Sequence, residues 1–144
     1  MKESRDSRSI VEKVKELIGG HDRLIDIFGM EIERVEPGCA QVSMVVKESH
    51  LNAASLCHGA TIYALADVAF ALACNSHGRQ ALALEVSINY LRPAFTGDRL
   101  TAYATEENLG NTTGLYKIIV TNQDGKKIAF LKATAFRFER SFVE

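Results

Sequence analysis

The stretch from Leu51 to His77, LNAASLCHGATIYALADVAFALACNSH, constrains the fold more than any other part of the chain. It opens as a polar, small-residue loop ending in Cys57-His58-Gly59, and from Ala60 it becomes a run of good helix formers. That run is apolar on every face rather than along one stripe, so the helix has to be buried all round. Between Ile62 and Cys74 it carries a single charge, Asp67. A carboxylate in such surroundings is costly unless it is paired, hydrogen-bonded or facing a ligand cavity. An acidic group inside an apolar rod is the strongest functional signal in the sequence.

The remaining segments supply what would wrap that rod. Residues 1–8 are polar and expected to fray. Ser9 and Glu12 fit a capping box, Ile10, Val11, Val14, Leu17 and Ile18 keep helical spacing, and Gly19-Gly20 ends the helix. A short apolar segment, Leu24 to Phe28, stops at Gly29. Residues 1–29 therefore read as a helical extension packing on a domain of residues 30–144. Met30 to Glu36 and Cys39 to Lys47 read as a hairpin about Pro37-Gly38.

After the helix the period drops to two. Leu82, Leu84, Val86, Ile88 and Tyr90 share one face, and Ala83, Glu85, Ser87 and Asn89 the other. Three further strands follow, from Thr96 to Asn108, Leu115 to Thr121 and Lys127 to Phe138, with Asn122-Gln123-Asp124-Gly125 as a hairpin turn. The expected result is an α+β domain in which two strands and a four-strand meander form one antiparallel sheet curled about a long central helix. The second sheet face, with Glu85, Ser87, Lys117 and Thr121, suits solvent or a partner subunit.

Composition narrows the function. The 144 residues are 47 % apolar and 24 % charged with a net charge of −1, so the chain is globular and offers no basic surface for nucleic acid. No apolar run reaches the roughly 18 residues of a membrane span. The N-terminus, MKESRDSRSI, has no apolar signal core, and Cys39, Cys57 and Cys74 lack disulfide-scaffold density, so a cytoplasmic protein with reduced thiols is expected.

Asn52, six residues before His58-Gly59, and Asp67, nine after His58, resemble the signature of the hotdog-fold acyl-CoA thioesterase superfamily. Leu65 to Ser76 and Leu91-Arg-Pro-Ala-Phe-Thr-Gly-Asp98 look especially like the phenylacetic-acid-degradation (phenylacetyl-CoA) thioesterases. The resemblance covers residues 24–138 and implies a hotdog fold and hydrolysis of an acyl-CoA ester, aryl-acetyl or medium-chain, without a cofactor or metal.

It assigns the catalytic roles to Asp67, Gly59, His58 and Asn52. The Gly59 N–H at the helix start would polarise the thioester carbonyl, and Asp67 would either attack it or act as base on water. Nine helical residues rise about 14 Å, so His58 and Asp67 of one chain are too far apart to share one thioester. The resemblance then implies sites shared across a homodimer, with dimers pairing into a homotetramer. The resemblance places coenzyme A contacts at Arg92, Asn111, Thr112 and Lys117; relatives often carry a lysine where Asn111 stands, so here the phosphate contact would fall to Arg92 or Lys117. Many relatives also have a second glycine at Ala60, and some a Ser or Thr at Ala83.

Blander readings stand beside these. Asp67 could cap a neighbouring backbone, His58 could brace its loop, and Asn52 could make an Asx turn. Cys57 beside His58 suggests a thiol nucleophile and Cys74-x-x-His77 a metal site. Adjacent residues in extended chain point apart, however, and two ligands without a third make no site, so both cysteines read as packing. Competing functions on the same fold are a hydratase or dehydratase and a non-catalytic acyl-CoA-binding module.

Overall fold

The computed structural model describes residues 2–143, with side chains from Ser9 onward. In chain order its elements are α1 (Lys2–His21), α2 (Arg23–Phe28), β1 (Glu31–Glu36), β2 (Cys39–Val45), α3 (Gly59–Asn75), β3 (Arg79–Tyr90), β4 (Arg99–Leu109), β5 (Thr113–Thr121) and β6 (Lys127–Ser141). The apolar run is α3, and it lies against β2, β3, β4 and β5 of a single sheet. Leu65, Ala66, Ala69, Leu72 and Ala73 have no exposed surface at all. The small residues among them let the sheet backbone approach the helix closely.

Burial of α3 is nevertheless incomplete, and the gap is ordered. Beyond its first turn, the helical residues left partly open are Tyr63, Asp67 and Ala71, which continue from Gly59 at a spacing of four. Residues so spaced stack on one helix face, so α3 is closed on all sides except one seam.

The sheet has six strands in the order β1-β2-β4-β5-β6-β3, all neighbours antiparallel. This corrects the expected four-strand meander. Only β4, β5 and β6 follow one another; β3 pairs with β6 at the far edge, and β4 returns beside β2. Local alternation cannot reveal this, because it records which face a residue takes and not which strand lies beside it.

A second correction concerns the faces of β3. Its pairing with β6 runs in register from Leu82↔Phe136 to Ala83↔Ala135, then slips, so that Glu85↔Thr134 and Val86↔Ala133 follow and Leu84 has no partner. This one-residue bulge reverses the alternation. Ala83 therefore shares the helix-facing side with Val86 and Ile88, whereas Leu82 pairs with Phe136 on the outer side. Leu82 and Leu84 are exposed, at 55 % and 62 %.

At the N-terminus, α1 begins at Lys2, so Ser9 and Glu12 lie inside the helix rather than capping it, and residues 2–8, expected to fray, are helical. The good helix propensity of Lys, Glu and Arg carries the backbone through. The helix also passes Gly19-Gly20 to end at His21, whose Nδ1 lies 3.0 Å from the Leu17 carbonyl. The α2 segment ends as expected at Gly29, in the left-handed region at φ 64°.

The junction between α3 and β3 is held by one buried amide. The Asn75 side chain donates to the carbonyls of Ala71 and Ala81, at 2.9 and 3.2 Å, and accepts from the Ala81 N–H at 2.8 Å. It thereby satisfies both backbone groups of Ala81, which lies beside a register slip in β3. Asn75→Leu leaves those groups buried without partners, which is expected to lower stability by about 1–3 kcal/mol. Thermal unfolding of the variant measures this, and an unchanged midpoint would contradict the assigned role.

Candidate active site

Asp67 occupies the middle of the α3 seam and opens into a cavity of about 600 Å³. Phe70, Ala71 and Cys74 of α3, Ala81 to Ala83 of β3, Leu17 and Ile18 of α1, and Phe142 make its surface mainly apolar. No hydrogen bond or ion pair reaches the Asp67 carboxylate from the described residues. Burial raises its pKa above the ordinary carboxylate value, and the nearby charge of Asp22 raises it further. The capping alternative for Asp67 therefore finds no partner. Ala83, on the side of β3 set by the bulge, lines the same cavity.

Gly59 stands at the other end of the seam, in a separate cleft of about 400 Å³ with Asn52, Leu56, Cys57, Ile62, Tyr90 and Arg92. His58 is the N-cap of α3, with its Nδ1 accepting from the Ala60 N–H at 3.1 Å. The next donors, Thr61 and Ile62, both reach the His58 carbonyl. The Gly59 N–H is thus left without a partner among the described residues, at the positive end of the helix dipole. His58 braces the turn that presents this donor. Asn52 does make an Asx turn: its Oδ1 accepts from Ala54 and Leu56 at 2.9 and 3.1 Å. Its amide –NH₂ stays free to donate into the cleft.

Two residues that motif reading passed over shape this end. The Tyr90 hydroxyl donates to the Gly59 carbonyl at 2.9 Å, and a Cβ added at Gly59 would lie 3.0 Å from the Tyr90 ring. Glycine at position 59 therefore admits Tyr90 as well as any substrate. Tyr63, one turn before Asp67, has its phenol pKa raised by burial first, then by the Asp67 charge and by Tyr90. Its place at four residues from both Gly59 and Asp67 was the available signal. His50 is buried with its ring against Phe28, centroids 5.3 Å apart; its carbonyl accepts from the His58 N–H at 2.8 Å, and its own N–H donates to the Lys47 carbonyl at 3.0 Å.

A single chain does not unite the predicted site. Gly59 and Asp67 are eight residues apart on one helix, about 12 Å, and they open into different cavities. The four residues expected to bind coenzyme A are also dispersed. Arg92 lies in the Gly59 cleft and donates to the Lys127 carbonyl at 3.1 Å. Asn111 and Thr112 sit in the β4–β5 turn beside Arg79 and Arg137. Lys117 is on the outer sheet face, 3.5 Å from Glu107.

Cys57 and Cys74 are both buried. Burial, then the charge of Asp98, pushes the Cys57 thiol up to about 11; burial, then Asp67, pushes Cys74 up to about 12. Cys74 Sγ points to the Ala71 carbonyl, whereas His77 Nε2 lies 2.7 Å from Glu106, and among the described residues no group of three potential ligands assembles.

Residues 54–129 match the thioesterase superfamily family model. The acyl-coenzyme A thioesterase PaaI of Escherichia coli is 40 % identical over 81 % of this chain and 84 % of its own length. Its structure, described as from the phenylacetic acid degradation operon, superposes with a TM-score of 0.90 over 92 % of this chain and 96 % of that one, at 35 % identity. A protein of Archaeoglobus fulgidus, named only provisionally as an esterase, is 48 % identical over 92 % of this chain and 86 % of its own. A hypothetical thioesterase of Streptococcus pneumoniae, solved with coenzyme A, matches at TM-score 0.78 and 30 % identity over 81 % of this chain and 92 % of that one.

Two expectations test this geometry. Under native conditions near neutral pH a thiol reagent should modify Cys39, which is partly exposed, well before the buried Cys57 and Cys74; rapid reaction of all three would refute the burial described. A double-mutant cycle of Gly59→Ala and Tyr90→Ala should give a coupling of about 1 kcal/mol in unfolding free energy, and strict additivity would mean that the two do not touch.

Proposed function

The chain belongs to the thioesterase superfamily, and from that premise we propose that it is an acyl-CoA thioesterase whose site joins Asp67 of one subunit to Gly59, Asn52 and His58 of another. A thioester carbonyl is already electrophilic, so the enzyme needs a donor for the developing oxyanion and a means of delivering oxygen. The free N–H of Gly59 is such a donor, and groups of this kind are worth about 3–4 kcal/mol in turnover.

Asp67 delivers the oxygen in one of two ways. As general base it takes a proton from water while the water oxygen bonds to the acyl carbon; the C–S bond then breaks and the leaving thiolate regains the proton. As nucleophile its own oxygen displaces the thiolate, and water then hydrolyses the mixed anhydride. Both routes yield the free acid and the thiol of coenzyme A. After single turnover in heavy-oxygen water, label in the Asp67 side chain, left when water attacks the aspartyl carbonyl of the anhydride, identifies the second route. The observation that carries the proposal is a carboxylate without a partner among the described residues, held in a mainly apolar cavity on the open seam of the helix.

Support for a shared site comes from the sheet edges. The β1 edge is six residues long and carries Glu31, Glu33, Arg34 and Glu36, which discourage pairing. The β3 edge is twelve residues long and exposes Leu82, Leu84 and Tyr90, an edge that requires a cover. A second copy packed there brings the two seams together. The polar-and-aromatic outer face, with Tyr103, Phe130 and Phe136 exposed, suits pairing of dimers into a tetramer. Within the described residues no helix is long and apolar enough to cross a membrane, which accords with a cytoplasmic enzyme.

Asp67→Asn is expected to cut coenzyme A release at least about a hundredfold, and undiminished turnover would remove the assignment. The same variant should melt higher near neutral pH. The folded-state pKa of Asp67 is raised, so its ionised form opposes folding; this stability is full below the unfolded value and is lost as pH rises through the folded one. The acid limb of kcat/KM should lie above the ordinary aspartate value and move to lower pH in Asp22→Asn, which removes a charge that raises it. Co-expression of Asp67→Asn with Gly59→Val should restore about one quarter of native activity, since half the dimers are mixed and each mixed dimer has one intact site. No restoration would argue for sites built within one chain.

A further inference from the structure

Helix α1 lies outside the 54–129 region that defines the superfamily, yet its last turns form part of the Asp67 cavity. Leu17, Ile18 and His21 of α1 and Asp22 at its end line that space, opposite Phe70 and Ala71 of α3. Ile18 is buried and Leu17 only partly so. The wall is held by several local bonds. The Asp22 N–H donates to the Ile18 carbonyl at 2.8 Å, the Asp22 side chain accepts from Leu24 at 3.1 Å as the cap of α2, and His21 closes the last turn on Leu17. These bonds shape the end of α1, and buried Ile18 packs it into the core.

Charge sorts the two arms of the substrate between the two cavities. The Asp67 cavity contains two carboxylates, Asp67 and Asp22, beside the His21 ring, and among the described residues no lysine or arginine. The Gly59 cleft contains Arg92 and, among the described residues, no carboxylate, whereas the groove next to it balances Arg92 and Lys126 against Asp98 and Asp124. Coenzyme A carries several phosphates, and like charges repel more strongly within a low-dielectric cavity than in water. Two carboxylates thus disfavour the nucleotide arm in the Asp67 cavity, whose mainly apolar lining suits the uncharged acyl arm.

We infer that the end of α1 is the wall of the acyl-binding subsite, with Leu17 and Ile18 setting the length of the apolar acyl group, aryl or medium-chain alkyl, that fits beside Asp67. The inference rests on the thioesterase reading and adds to it the residues that determine specificity. At about 600 Å³ the cavity is within the range of small-molecule sites. An added or removed methylene in an apolar pocket changes kcat/KM by roughly 10–200-fold, so a residue on this wall has a measurable signature.

Leu17 is the position to vary, because its partial exposure tolerates a change of size better than Ile18 does. With straight-chain acyl-CoA esters from acetyl to dodecanoyl and with phenylacetyl-CoA, Leu17→Trp should lower the ratio of kcat/KM for the longest efficient ester to that for acetyl-CoA by at least about tenfold. Leu17→Ala should shift the preferred length upward. Unaltered length profiles in both folded variants would overturn the inference. If the native chain releases no thiol from any ester, the thioesterase reading fails instead. The wall is then read from binding: dissociation constants of non-hydrolysable acyl-CoA thioethers should show the same length shift in Leu17→Trp, and length-independent binding in both proteins would overturn it.

Discussion

Enclosure of α3 governs the architecture. A helix apolar on all sides cannot lie on a flat sheet with its back to water, so the sheet has to bend around it. The register slips in β1, β3, β4 and near the end of β5 fit that need, since each bulge adds local twist and curvature. The enclosure fails along one line, Gly59-Tyr63-Asp67-Ala71, where residues four apart stack on a single face. A group on α3 that is to meet a substrate must lie on that line. The free N–H of Gly59 and the carboxylate of Asp67 both do.

The seam places a stability cost where the chemistry is. Among the described residues Asp67 has no partner, and it is desolvated and feels Asp22 besides. A chain selected for stability alone would hold an apolar residue there, and such local conflicts mark functional positions. The same division of labour is visible at the edges. Charge protects β1, whereas β3 leaves Leu82 and Leu84 in the open, which suits an edge that another subunit covers.

The legible parts of the site were those carried by spacing along one element. Asp67 was identifiable because it is the only charge in an apolar helix, and Gly59 and Asn52 because they sit at fixed offsets from it. Tyr90 was not, since its contact with Gly59 spans two elements that meet only after β3 has crossed the sheet. The same holds for Leu17 and Asp22, which approach Asp67 from a helix far away in sequence. Arg92, Asn111, Thr112 and Lys117 were grouped by analogy, and in one chain they point to three different regions. The face of Leu82 was misread because a bulge is one residue long, and alternation carried across it reverses sign.

By itself the sequence determined the elements, the buried helix and its single carboxylate, because periodicity, turn residues and burial preference act over a few neighbouring positions. Strand order, the bulge at Leu84, the unpartnered state of Asp67 and the division into an acid-walled cavity and an arginine-bearing cleft were decided only by tertiary structure. Those depend on which distant segments pack together, and contact energies between segments far apart in the chain leave no periodic mark on either one.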